Sequence, residues 1–382
     1  MRALPLAILA LGLVSLSAFA ESAADVAKAD LRVKSDRKVE PVYSVIAGID
    51  GEIYPVFANY ASLRSGDQRK WGTVAVTVNN PTAEILRARV AVSIQGWSDE
   101  EIQLAQIKPG ETRTYLFAPT FLARFYANRE IAAATTLVSV TDLGGKPLYL
   151  QTVPVKIRSS EDMFWGSKFQ YAPFIASWIT PHDERVEEIL RKAKEFMPGR
   201  RLPGYEPEKS ADGQEQMTYS EARAIYKALQ EAGVSYVKSS MTFGGHQDAS
   251  ERVRMPEDSL RDVSANCIDG VVMYASLFEN LGMEPVVLLV PGHAYIGVRL
   301  SSKSSKYLYI ETAITGRASF EESIASAAHG VASYKTSDTI RISVADSRSM
   351  GVFPMPSPFG QGPLETKEAQ AALQLQTVVP HP

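Results

Sequence analysis

Between Val42 and Arg158 apolar and polar residues alternate along the chain. Gly72-Thr73-Val74-Ala75-Val76-Thr77-Val78 runs at period two until Asn79-Asn80-Pro81 stops it, and Arg87–Ile94 resumes it. Lys108-Pro109-Gly110-Glu111 reads as a turn, Thr112–Phe117 and Ala132–Thr141 alternate again, Gly144-Gly145 interrupts, and Leu148–Ile157 closes the block. Period-two alternation puts one face of a strand in a core and the other in solvent. Short strands parted by turn residues predict an N-terminal all-β domain over 42–158, an Ig-like sandwich.

Past residue 180 the period lengthens to that of helices. Thr180 is a candidate N-cap with Pro181 at the first helical position, and Val186, Ile189, Leu190 and Ala193 form one face. Residues 198–217 read as a mobile loop. A helix over Tyr219–Ala232 is closed by Gly233, Val234–Val237 is a short strand, and 241–258 a polar loop. These elements place a C-terminal α+β domain at 181–350. Between the two domains, 159–180 is an aromatic connector with Phe164, Trp165, Phe169, Tyr171, Phe174 and Trp178. Residues 21–41 are a polar lead-in, and 351–382 a loosely docked Pro/Gln-rich tail.

Composition narrows the function classes. The 382 residues carry 40 basic and 43 acidic side chains, for a net charge of -3, which argues against a nucleic-acid partner. With 45% hydrophobic residues, wholesale disorder is excluded. Residues 1–20 hold one Arg, an apolar run and the small-residue ending Ala18-Phe19-Ala20, the layout of a cleavable signal peptide. The expectation is an exported protein, periplasmic or extracellular, without stable membrane insertion once the signal is cut. A single cysteine rules out a disulfide scaffold. The histidines at 182, 246, 293, 329 and 381 have no metal-ligand spacing, so neither a metal nor a cofactor is expected.

The informative stretch is Asn266–Gly316. Asn266 is a good N-cap, which puts Cys267 at the first position of a helix. Val271, Val272, Ala275, Phe278 and Leu281 form its buried side, Gly282 ends it, and Pro285 lies just beyond. A thiol at a helix start faces unsatisfied N–H groups and the positive end of the helix dipole, which favour the nucleophilic thiolate. Asp269 supports the same first turn, but its charge opposes a thiolate at Cys267. Val286–Val290 is a buried strand. Behind His293, the residues Ala294, Ile296, Val298 and Leu300 alternate, leaving His293, Tyr295 and Arg299 on the other face. A three-residue loop at Ser301-Ser302-Lys303 pairs 300 with 304 and hence 293 with 311. His293 and Glu311 then meet directly across two strands. The other histidines have no comparable setting and are expected at the surface, His246 alone being placed to line a cleft.

These residues together resemble the transglutaminase-like superfamily of papain-type cysteine enzymes. Cys267, Ala275 and Leu277 with Leu281-Gly282, His293-Ala294 and Glu311-Thr312 occupy the family's motif positions, over about residues 219–316. The chain departs from the pattern in Glu311, where the family has Asp, and in Tyr295, where it often has Trp. The resemblance implies a papain-like fold with Cys267 as nucleophile, His293 as base and Glu311 as the acid that orients it. It implies acyl transfer through a thioester by a protease, amidase or transglutaminase. The substrate would be a peptide or protein amide, including cell-envelope material. The alternative is an inactive envelope-organising binding module that keeps the fold. Thiol exchange is disfavoured, because no resolving cysteine exists.

Overall fold

The computed structural model describes residues 42–63, 71–206, 210–238 and 250–356. The protein is a mixed α/β chain rich in β-sheet, divided into two compact units. The first reaches to Phe125 and includes Ala132–Arg158; the second takes Tyr126–Ile131 and everything from Ser159 on. The expected signal peptide and lead-in lie outside the described residues.

The first unit contains β1 (Val42–Ala47), β2 (Glu52–Ile53), α1 (Pro55–Ser62), β3 (Val74–Asn79), β4 (Leu86–Ile94), β5 (Glu101–Ile107) and β6 (Thr112–Phe117). A short α2 (Ala123–Tyr126), β7 (Ala132–Asp142) and β8 (Pro147–Ile157) follow. One sheet has the order β1-β3-β6, the other β2-β8-β7-β4-β5, with only β2 and β8 parallel. Val74, Val76 and Val78 are fully buried, as alternation requires. Asn80 ends β3 because its buried amide replaces sheet bonds: Nδ2 donates to the carbonyls of Glu84 and Ile107, and Oδ1 accepts from the Thr82 backbone. The all-β expectation misses α1. Pro55 opens that helix and Val56, Phe57, Ala58 and Ala61 are buried, so this short stretch follows a helical face.

The second unit opens with β9 (Asp162–Phe164) and a 3₁₀ helix at Ala172–Trp178. Phe174, Ile175 and Trp178 are buried, so the residues expected as a connector belong to this unit's core. Next come α3 (Glu184–Ala193), α4 (Ala211–Glu231), β10 (Ser235–Tyr236), β11 (Ser250–Arg252), α5 (Pro256–Arg261), β12 (Ser264–Ala265) and α6 (Cys267–Asn280). The order ends with β13 (Pro285–Val290), β14 (His293–Arg299), β15 (Tyr307–Ile310), α7 (Phe320–Ser333), β16 (Ile340–Ser343) and α8 (Val344–Ser349). The cap of α3 is Asp183 rather than Thr180, its carboxylate accepting the Arg185 and Val186 N–H groups. Likewise α4 starts eight residues before the expected Tyr219, capped by Ser210. At the C-terminal end Val352 and Met355 are buried, and Met355 donates to the Ser177 carbonyl, so the tail's first residues are docked.

An antiparallel sheet of order β15-β14-β13-β16 organises this unit. It is covered on both faces, α6 packing on β13 and β14 and α7 on β15. β13 is therefore buried at every position, as its unbroken apolar sequence demands. Arg348 on α8 ties the layers together, binding Glu279 at the end of α6 through two nitrogens and donating to the carbonyls of Ala176 and Ile179. No helix among the described residues is long and apolar enough to cross a membrane.

The burial of α6 sets an expected cost for breaking it. Phe278 on this helix is fully buried, so Phe278→Ala should lower unfolding stability by about 3–5 kcal/mol. Denaturant titration of the two proteins measures it, and an unchanged midpoint would contradict the packing described.

Candidate functional site

The site begins where β12 runs into α6. Asn266 is the N-cap, and it forms a reciprocal box with Asp269: its Oδ1 accepts the Asp269 N–H at 2.8 Å, while Asp269 Oδ2 accepts the Asn266 N–H at 3.2 Å. Cys267 is thus the first helical residue, partly exposed. Asp269 is completely buried, and Arg254 meets it with its backbone N–H at 2.8 Å and its Nε at 3.1 Å.

A hairpin delivers the histidine. Val290 pairs with His293 across Pro291-Gly292, and Gly292 has φ +75°, the left-handed conformation a turn of this kind requires. His293 is therefore the first residue of β14, beside the turn and only partly covered. The Tyr295 ring stands edge-on to the imidazole at 4.7 Å.

Glu311 follows β15, but not in the expected register. Arg299 pairs with Tyr307 and Ile296 with Ile310, because the loop after Leu300 extends to Lys306. This two-residue shift preserves the face but puts Glu311 diagonal to His293 instead of opposite it. Diagonal neighbours are farther apart than direct pairs, so a longer side chain is needed to span them. Glu311 supplies that length: its Oε2 lies 2.8 Å from His293 Nε2. Its Oε1 accepts the Ala313 N–H at 2.9 Å, which anchors the carboxylate to a 3₁₀ turn at Thr312–Ile314.

Two contacts bring helix and sheet together. Thr312 Oγ1 donates to the Cys267 carbonyl at 3.3 Å, and Gly270 leaves the room for it: a Cβ there would lie 2.7 Å from Thr312 Oγ1. Ser323 on α7, fully buried, fixes the backbone of Glu311, accepting its N–H at 3.1 Å and donating to its carbonyl at 3.0 Å. Cys267, His293 and Glu311 therefore converge from three separate stretches of chain.

The imidazole's basicity is raised to about 10. Its hydrogen bond with Cys267 is the largest cause and that with Glu311 the next, both outweighing the partial burial that opposes a charge. With Nε2 on Glu311, Nδ1 is the nitrogen left for the thiol. Burial, reinforced by the charge of Asp269, pushes the Glu251 carboxyl up to about 7. Tyr236, half-exposed on β10, pairs with Ala265 of β12, two residues before Cys267; burial first, and then the charges of Cys267, Glu311 and Asp269, push its hydroxyl pKa up.

His182 and His329 are exposed, while His246 and His381 lie outside the described residues. No cluster of three His, Cys, Asp or Glu side chains among the described residues could hold a metal. A groove of about 280 Å³ lined by Phe196, Arg223, Tyr226, Lys227 and Phe320 contains none of the three convergent side chains. Sequence reasoning misses Arg254, Ser323 and Tyr236, which carry no motif and reach the site only through the fold.

No family model matches the chain, and no curated protein matches it. Among solved structures, it is similar to a FixG-related protein from Vibrio parahaemolyticus at 18% identity and a TM-score of 0.15. That similarity covers 22% of this chain and 75% of the other.

Two outcomes follow from the His293–Glu311 pair. In the fold His293 keeps its proton to about 10, against about 6.5 for the free side chain, so the folded state binds the extra proton between those values. Its contribution to stability is complete below about 6.5 and is lost as pH rises through about 10. Glu251, an acid with raised pKa, loses its own contribution between about 4.5 and 7, below most of that window. The melting temperature should therefore fall from pH 7 to 9 in the wild type and less so in His293→Gln; equal slopes would refute the assignment. Glu311→Asp should pull the carboxylate away from the ring and lower the His293 pKa by about one to three pH units. Imidazole NMR titration reads this directly, and an unmoved titration would mean that length does not matter.

Proposed function

We propose that this protein is an exported cysteine acyl-transfer enzyme of the transglutaminase-like type, acting on peptide or protein amides. The observation that carries the reading is the imidazole held between the Cys267 thiol and the Glu311 carboxylate at the start of a helix. In this reading the second unit is a papain-like domain and the first an Ig-like sandwich, preceded by a signal peptide at residues 1–20.

His293 carries its proton at neutral pH, so the sulfur attacks the amide carbonyl carbon as the thiolate partner of the imidazolium. Unpaired N–H groups of the first turn of α6 would stabilise the oxyanion. Collapse of the tetrahedral species breaks the C–N bond as the imidazolium gives its proton to the departing amine. A thioester on Cys267 remains. Water or a second amine, deprotonated by His293, then attacks the thioester and releases the thiolate beside the re-formed imidazolium. Glu311 keeps the ring oriented and supports its charge throughout.

Mass spectrometry of the full chain incubated with glutamine-containing peptides and cell-wall peptide fragments should detect an acyl adduct on Cys267. Cys267→Ala should form none while melting within a few degrees of the wild type. Absence of any adduct, together with slow alkylation of Cys267 near neutral pH, would overturn the enzyme reading and leave a binding module.

A further inference from the structure

We propose that Arg254 tunes the Cys267 thiol by cancelling the charge of Asp269 at the start of α6. This inference rests on the functional thiol proposed above and makes Arg254 a positioning residue of that site.

The start of α6 attracts negative charge, and two groups compete for it. One is the sulfur of Cys267; the other is Asp269, which the capping box requires at the third helical position. A buried carboxylate two residues from the thiol would by itself favour the neutral S–H form. Arg254 removes that conflict. It binds both Asp269 oxygens, one through its backbone N–H and one through Nε. Its Nη1 and Nη2 donate to Ser264 Oγ at 3.1 Å and to the Ser264 carbonyl at 2.7 Å, so the guanidinium is fixed between the carboxylate and β12.

The other charged groups nearby do not replace it. Glu251 on β11 adds negative charge when ionised, and Tyr236 on β10 carries none near neutral pH. Asp262 lies 4.0 Å from Arg254 Nη1 and is half-exposed. His293 and Glu311 approach the thiol from the sheet. Among the described residues, Arg254 is the cation bonded to Asp269.

The test is the pH profile of iodoacetamide alkylation of the full chain, read by intact mass. The chain has one cysteine, so the modified site is unambiguous. Arg254→Gln should shift the half-maximal pH upward by about one pH unit, because Asp269 is left uncompensated. Asp269→Asn keeps a capping acceptor and frees the guanidinium charge, so its profile should shift downward. The double variant should return close to the wild type. A purely structural Arg254 predicts shifts of the same sign in both single variants, accumulating in the double, and that result would overturn the proposal. If Arg254→Gln does not fold, an unmoved profile in Asp269→Asn overturns it equally. A wild-type thiol that alkylates only as a free cysteine does would refute the enzyme reading, while the direction of the variant shifts would still decide the role of Arg254.

Discussion

The second unit depends on the close approach of α6 to the turn that follows β15. Gly270 presents bare backbone to Thr312, and any side chain there would collide with it. Through that gap Thr312 reaches the Cys267 carbonyl, and the end of the strand comes level with the start of the helix. Push the two apart and Cys267 leaves the imidazole while Glu311 stays with the sheet. Capping, hairpin geometry and packing each place one of the three side chains, but this contact places them relative to one another.

The choice of Glu at position 311 follows from sheet geometry. The loop after Leu300 takes two more residues than the tightest arrangement, which slides β15 along β14 without turning its side chains over. A carboxylate on a direct neighbour needs little reach; one on a diagonal neighbour needs more. Glu311 meets His293 with one oxygen and still anchors the turn at Ala313 with the other. The longer acid and the slid register therefore offset each other.

What could be read from the chain was set by local signals. Asn266 before an apolar helical face, with Asp269 three residues on and Gly282 beyond, marks α6 closely, because a cap and a box act within one turn. The face shared by His293 and Glu311 was legible from alternation, since a shift of two residues leaves parity unchanged. The shift itself was not: Ser301 to Lys306 contains no Gly, Asn or Asp to pin a turn type. At α3 the cap lies three residues past the expected Thr180, because the Asp183 carboxylate accepts two N–H groups of the first turn. The early start of α4 was hidden by its polar first turns, and Arg254 and Ser323 act across distances that no local pattern encodes.

Ser323 shows how α7, which packs on the sheet face that carries Tyr295, shapes the end of β15. The β14–β15 ladder ends at Ile310, so the buried backbone of Glu311 has no strand to bond. A buried N–H and C=O left unpaired would each cost about 1–3 kcal/mol, enough to favour continuing the strand or exposing it. The single hydroxyl of Ser323 answers both groups at once. With that need met from α7, the chain is free to leave the sheet at Glu311 and curl into the 3₁₀ turn. The curl brings Thr312 against α6 and leaves the Glu311 carboxylate beside the ring. α7 thus decides where the strand stops, and the strand's end decides where the acid stands.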